Sequence, residues 1–205
     1  MTDKIEWLFF DIGSTIVDES KCYEYRCNEI IEKNDINAEE FYAKVLDFAK
    51  TNSFPIKAAC KYYGFEIPKW PKELEHLYPD TEKTLKILSQ KYKLGIIANQ
   101  SAGTQERLDN WNIRKYFDVV AASTELGIAK PDLRIFTTSL EQANCNPENA
   151  VMIGDRLDND VVPAKKLGMK TVWVRQGFAK YITIRNDNEK PDFIIDSIGE
   201  IAKLF

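Results

Sequence analysis

Asp11 is the first residue whose setting asks for chemistry. It follows Trp7-Leu8-Phe9-Phe10 and precedes Ile12-Gly13-Ser14-Thr15. An apolar run without polar alternation reads as a strand buried on both faces, as in parallel sheets. A carboxylate at the end of such a strand is costly unless a cation or hydrogen-bond donors satisfy it. A strand-end Asp that caps the next turn is the plainer alternative. Other polar groups follow other apolar runs. Asn99 follows Leu94-Gly95-Ile96-Ile97-Ala98, Lys130 comes after the next strand region, and Asp155 with Asp160 follows Ala150-Val151-Met152-Ile153. Two carboxylates brought together from different strand ends repel unless something neutralises them. Oxygen donors alone favour a hard cation, and Mg²⁺ needs few carboxylates because it keeps several waters. A cation, a lysine and a helix N-terminus together suit a phosphoryl group. A carboxylate within reach of the phosphorus can be its nucleophile. These residue types point to Mg²⁺-dependent phosphoryl chemistry through an aspartyl-phosphate.

The elements that must position these groups are visible as periodicities. After the first strand, Tyr23, Cys27, Ile30 and Ile31 recur at helical spacing. Asn37 and Glu40 resemble a capping box ahead of Phe41, Val45, Phe48 and Ala49. Ser53-Phe54-Pro55 ends that second helix, and a shorter one runs to Gly64, a C-terminal cap. Residues from about 17 to 78 therefore read as an all-helical insert. Helices and strands then alternate. Strands are expected at 94–98, 117–121, 150–153, 171–174 and 191–195. Pro131 is expected in the first turn of a helix carrying Phe136, Leu140 and Ala143. Another helix is expected from about Asn159 to Gly168, and the polar stretch 176–190 reads as loop. The pattern predicts an α/β fold, a doubly wound parallel sheet of Rossmann-like type with a small all-helical cap. Right-handed crossovers put all the strand carboxyl ends on one rim, the place where such sheets bind ligands. The expected division is a core of 1–16 plus 79–205 and a cap of 17–78.

Composition limits the function classes. The chain has 205 residues, 44% hydrophobic and 29% charged, with a net charge of −4. That suits a soluble globular chain, and without a basic block it offers no footprint for nucleic acid. No apolar run reaches membrane-spanning length. Met1-Thr2-Asp3-Lys4 leads straight to the first strand, so no signal peptide is expected. Cys22, Cys27, Cys60 and Cys145 show neither C-x-x-C nor zinc spacing and read as reduced thiols of a cytoplasmic protein. The single histidine, His76, lies in Glu73-Leu74-Glu75-His76-Leu77 and reads as a residue on a helix surface. Oligomeric state is not encoded in any feature of the sequence.

Phe9-Phe10-Asp11-Ile12-Gly13-Ser14-Thr15, Leu94 to Asn99, Gly127-Ile128-Ala129-Lys130-Pro131-Asp132 and Ile153-Gly154-Asp155-Arg156-Leu157-Asp158-Asn159-Asp160 resemble the four ordered motifs of the haloacid dehalogenase-like (HAD) hydrolases. The insert falls between the first and second motifs, where that family carries a helical cap. The resemblance implies Asp11 as nucleophile and Mg²⁺ ligand, with the Gly13 carbonyl and Asp155 as further ligands. It implies that Lys130 holds the charges of nucleophile and phosphate, and that Asp160 orients metal-bound water or Lys130. Asn99 and Ser101 are expected beside the substrate, Asn99 chiefly shaping its loop.

Two positions depart from the family pattern. Its phosphatases usually carry a second Asp two residues after the first, as general acid and base, and here that residue is Gly13. The second motif usually ends on Ser or Thr, and here Ala98 stands there, with Gln100 and Ser101 the nearest polar groups. General acid–base help is worth on the order of 10²–10⁴-fold. Asp18, Glu19 or a cap residue could replace the acid, and nothing in the sequence selects one. The leading expectation is a phosphatase of a small phosphorylated metabolite, slowed by Gly13 or restricted to substrates with a good leaving group. A catalytically weak phosphate-binding or regulatory protein is the alternative, and under it an Asp restored at position 13 should raise the rate sharply. A haloacid dehalogenase, which also lacks the second Asp but needs no metal, fits the fourth motif less well. Tyr23, Tyr25, Tyr62, Tyr63 and Trp70 are expected to form the core of the helical insert rather than a substrate pocket. Arg26 and Lys57 are expected at the solvated surface, with anion contact the alternative.

Overall fold

The computed structural model describes residues 4–51 and 54–205. The expectations for Met1 to Asp3 and for Ser53 fall outside the described residues. The chain runs through β1 (Trp7–Phe10), β2 (Val17–Asp18), α1 (Ser20–Asn34), α2 (Ala38–Ala49), α3 (Pro55–Tyr63), β3 (His76–Leu77), α4 (Thr81–Leu88) and β4 (Lys93–Ala98). It continues through α5 (Thr104–Asn110), β5 (Val119–Ala122), α6 (Ser123–Leu126), α7 (Leu133–Ala143), β6 (Ala150–Gly154), α8 (Val162–Lys166), β7 (Lys170–Val174), β8 (Phe193–Ile195) and α9 (Ile201–Leu204).

The sheet has six strands in the order β5-β4-β1-β6-β7-β8, and every pair is parallel. β1 sits inside it, which explains why its residues do not alternate. Leu8 and Phe10 enter one hydrophobic cluster with Leu85, Leu94 and Val151. Trp7 and Phe9 face the other way, into a cluster with Phe136, Leu140 and Met152. Phe9 and Phe10 are completely buried, and burying each contributes roughly 1.5–3 kcal/mol. Gly95 is forced by this packing, because a side chain there would meet the Phe9 ring at 2.6 Å. From β1 the chain builds outward on one side through β4 and β5 and on the other through β6, β7 and β8. The strand order therefore switches beside β1, where open α/β sheets form their ligand crevice.

The segment 17–78 is mostly helical but not wholly so. α1, α2 and α3 enclose a small core of Cys27, Ile30, Phe41, Val45, Ile56, Ala59 and Cys60. Asn37 caps α2 by accepting a hydrogen bond from the Glu40 amide at 3.0 Å. Gly64 ends α3 with φ of +75°, a conformation in which glycine has no side-chain penalty. At the two ends of the segment, however, β2 and β3 pair antiparallel, Val17 with Leu77 and Asp18 with His76. Each strand is only two residues long, too short for period-two alternation to reveal. His76 consequently lies on a strand rather than a helix, with Nε2 3.5 Å from Asp18 Oδ2. No helix among the described residues is long and apolar enough to cross a membrane. The four cysteines are free.

Three other expectations change. Pro131 precedes α7 instead of entering it, because Asp132 is the N-cap and accepts from the Arg134 amide at 2.9 Å. The helix expected from Asn159 begins earlier, as a wide turn over Leu157–Val161 that leads into α8. The stretch 176–190 is not featureless. It contains 3₁₀ turns at Gly177–Tyr181 and Asp187–Glu189. Gln176 is buried, and its side chain joins three segments by donating to the Ser14 and Thr15 carbonyls and accepting from the Ile198 amide.

Candidate active site

Hydrogen bonding extends β1 by one residue past its end, the Asp11 amide donating to the Ile153 carbonyl at 2.9 Å. This holds Asp11 at the carboxyl rim between the ends of β4 and β6. Beyond it the chain turns sharply, the Ile12 carbonyl accepting from the amides of Thr15, Ile16 and Val17. Asp155 follows β6 directly and is buried, its carbonyl accepting from the Trp173 indole at 2.8 Å. Asp160 is fully buried in the turn before α8. Its carboxylate crosses close over Gly154, leaving no room for any side chain there, and accepts from the Arg156 amide at 2.9 Å.

Lys130 reaches the same point from the loop before α7. Its backbone is held by Asn99, whose side chain accepts from the Lys130 amide at 2.7 Å and donates to the Lys130 carbonyl at 2.8 Å. Both polar ends of the Asn99 side chain are thus committed to this loop. The Lys130 Nζ lies 2.8 Å from Asp11 Oδ1 and 2.5 Å from Asp160 Oδ1. Burial lowers the ammonium's affinity for its proton, but Asp11 and Asp160 outweigh that and leave its pKa raised. Burial, then the neighbouring Asp11 and Asp160, push the Asp155 carboxyl well above the usual carboxylate range. Burial likewise raises Asp160, to about 6, although Lys130 pulls in the opposite direction.

One lysine does not neutralise three carboxylates. Oxygens of Asp11, Asp155 and Asp160 all come within 4.8 Å of one another. An all-oxygen donor set of this size suits a hard divalent cation, so the residues fit Mg²⁺.

The site opens into a cleft of about 440 Å³, whose lining runs from Asp11, Lys130 and Asp155 to Tyr23 and Trp70 of the 17–78 segment. Tyr23 packs on Phe178 from the turn after β7, ring centres 4.7 Å apart, and on Trp70 at 5.3 Å. Tyr23 and Trp70 both line the cleft, and Tyr23, like Tyr63, also packs against the small helical core, whereas Tyr25 and Tyr62 are exposed. Arg26 and Lys57 also line the cleft, Arg26 with its guanidinium 4.7 Å from the centre of the Trp70 ring. Ala98 is buried at the end of β4, and Ser101 stands exposed at the cleft edge.

Position 13 is where the sequence left a gap. A Cβ built on Gly13 would lie 2.6 Å from Glu19 Oε1 and 2.9 Å from Oε2. Glu19 lies just past β2 and reaches back over the glycine. Its Oε2 accepts from the Tyr23 hydroxyl at 2.6 Å and from Ser14 Oγ at 2.9 Å. Burial of the carboxyl, against the opposing effect of those two hydrogen bonds, pushes its pKa up to about 7. Sequence reasoning named Glu19 only as one of several acids near the gap. The signal that isolates it, the short β2–β3 ribbon, does not stand out in sequence.

A family model described as haloacid dehalogenase-like hydrolase matches residues 8–174. Over 126 residues the chain is 39% identical to a glyceraldehyde 3-phosphate phosphatase of Methanopyrus kandleri, covering 60% of this chain and 54% of that protein. It therefore spans only about half the length of that relative. A protein of the same name from Pyrococcus furiosus is 28% identical across 98% of this chain and 93% of its own. Among solved structures, a HAD phosphatase from Thermococcus onnurineus aligns with a TM-score of 0.66 at 28% identity, covering 98% of this chain and 97% of that one. The HAD-hydrolase YfnB of Bacillus subtilis aligns at 0.77 with 19% identity, over 98% of each chain, and shows the fold alone.

Proposed function

Since the chain belongs to the haloacid dehalogenase-like hydrolases, we propose that it is a Mg²⁺-dependent phosphatase of small phosphate monoesters, working through a phosphorylated Asp11. The observation that carries this reading is the Lys130 ammonium between Asp11 and Asp160, at 2.8 and 2.5 Å, at the mouth of the strand switch. Asp11 is the nucleophile. Lys130 keeps it ionised and offsets the charge of the incoming phosphoryl group. Asp160 fixes the lysine's direction. Asn99 acts through the backbone of Lys130, and Ser101, at the cleft edge, stands in for the hydroxyl that Ala98 lacks. Asp11, Asp155 and the Gly13 carbonyl hold the Mg²⁺, which when bound draws charge off the phosphoryl oxygens. The segment 17–78 acts as a cap over a core of 1–16 and 79–205, and its cleft-facing side chains select the organic part of the substrate.

Phosphatases recur by name among the relatives, so glyceraldehyde 3-phosphate, phosphoserine and phosphoglycolate head the panel to be tried. Purified protein with Mg²⁺ should release inorganic phosphate from at least one small monoester and from p-nitrophenyl phosphate. Asp11→Asn should abolish the release. Silence of the wild-type protein across such a panel, or turnover that survives Asp11→Asn, ends this reading.

A further inference from the structure

Hydrolysis of a phosphate monoester needs a proton for the departing alkoxide, and Gly13 cannot supply one. We infer that Glu19 is the proton-transfer residue of this enzyme, its carboxyl group reaching across from the end of β2 to fill the space that a side chain at position 13 would take. The inference rests on the phosphatase reading above.

Space comes first. Glu19 Oε1 lies 2.6 Å from the point where a Cβ of residue 13 would stand. Any side chain at 13 and the present Glu19 carboxyl therefore exclude each other, and the glycine is the partner that makes room. Hydrogen bonding comes second. Both donors that reach the carboxyl, the Tyr23 and Ser14 hydroxyls, bind Oε2. They fix the group's orientation and leave Oε1 without a partner among the described residues, turned toward Gly13. Location comes third. Asp11, Gly13 and Glu19 line one cleft together with Lys130 and Asp155.

The chemistry balances without any added reactant. As Asp11 Oδ attacks phosphorus, the bond from phosphorus to the ester oxygen breaks and that oxygen takes the proton from Glu19, leaving as an alcohol. Glu19, now a carboxylate, removes a proton from the water that attacks the phosphorylated Asp11. Phosphate leaves, and both carboxyl groups return to their starting states. General acid–base catalysis of this kind is worth about 10²–10⁴-fold.

The test uses the leaving group. For wild type and Glu19→Gln, kcat/KM, which reports the first chemical step, is measured on an alkyl phosphate and on p-nitrophenyl phosphate. An alkoxide needs protonation and p-nitrophenolate needs little. Glu19→Gln should lower kcat/KM by about 10²–10³-fold on the alkyl ester and by less than about tenfold on the aryl ester. Inhibition by inorganic phosphate and cooperative unfolding should be retained. Gly13→Asp alone should fail to raise activity, because the new carboxyl meets Glu19. Combined with Glu19→Ala it should recover much of the alkyl phosphatase rate, since the acid then comes from position 13. An equal loss on both esters, no loss on either, or a Gly13→Asp protein that outpaces wild type with Glu19 in place overturns the inference. These outcomes all presuppose an active wild-type enzyme, so they separate failure of Glu19 from failure of the phosphatase reading.

Discussion

Glu19 shows how a single carboxyl group can be set by its surroundings rather than by its own position in a motif. Acids usually gain stability on folding by ionising against a partner. Glu19 does the reverse, because its enclosure disfavours the charged form and raises its pKa from 4.5 to about 7. Below pH 4.5 the group is protonated in both folded and unfolded chains and costs nothing. Between pH 4.5 and 7 the unfolded chain loses the proton while the folded one keeps it, so stability falls as pH rises. Above pH 7 the loss levels off, on the order of 3 kcal/mol at 1.36 kcal/mol per pKa unit. Glutamine keeps the shape and can still accept from Tyr23 and Ser14, but it has no charge to strip of water. Glu19→Gln should therefore match wild type near pH 4 and exceed it in thermal midpoint at pH 8, measured without divalent metal. An equal difference at both pH values would mean that the substitution acts through packing instead.

At the scale of elements, what the sequence reveals is what long apolar runs and chain order can carry. β1, β6 and β4 from Leu94 onward are buried stretches without a charged residue, and the groups that follow them, Asp11, Asn99 and Asp155, meet at one rim because parallel strands share a polarity. Lys130 and Asp160 could be placed there as well. Two-residue strands and side chains that cross between segments leave no such trace. The β2–β3 ribbon is invisible to periodicity, and with it goes the position of Glu19. The closeness of Asp160 to Gly154 is a fact of the turn over Leu157–Val161, not of spacing. Gln176 is the clearest case, a polar residue in a polar stretch whose amide bridges the turn after β1 and the turn at Ile198. Removing it strands two buried carbonyls and an amide, at roughly 1–3 kcal/mol for each group left wholly unsatisfied. Gln176→Ala should accordingly lower the urea-unfolding free energy by about 2–4 kcal/mol. It should also reduce turnover, because Ser14, which orients Glu19, sits on the carbonyl that loses its donor. Unchanged stability would show that water replaces the amide and that this cross-chain tie is dispensable.

For the whole molecule, the decisive balance is between a buried acidic centre and the hydrophobic layers around it. Two clusters pack the faces of the sheet, and between them, at the rim, Asp11 and Asp160 share one buried ammonium with Asp155 close by. Folding has to hold these carboxylates together against desolvation and mutual repulsion, so the folded chain is strained electrostatically at the proposed active site. A divalent cation bound there relieves that strain only in the folded state, since the unfolded chain disperses the ligands. Linkage then stabilises the protein by about 2.7 kcal/mol when the free metal is a hundredfold above its dissociation constant. For a chain of this size that corresponds to a rise of roughly 5–10 °C in thermal midpoint. Mg²⁺ should produce such a rise in the wild-type protein and EDTA should reverse it. Asp155→Asn should behave differently in both respects. It removes one repelling charge, so the metal-free variant should melt above metal-free wild type, and it removes a ligand, so Mg²⁺ should shift it little. A wild-type midpoint indifferent to Mg²⁺ would mean that Lys130 alone balances the cluster, and the catalytic proposal would then have to do without a metal.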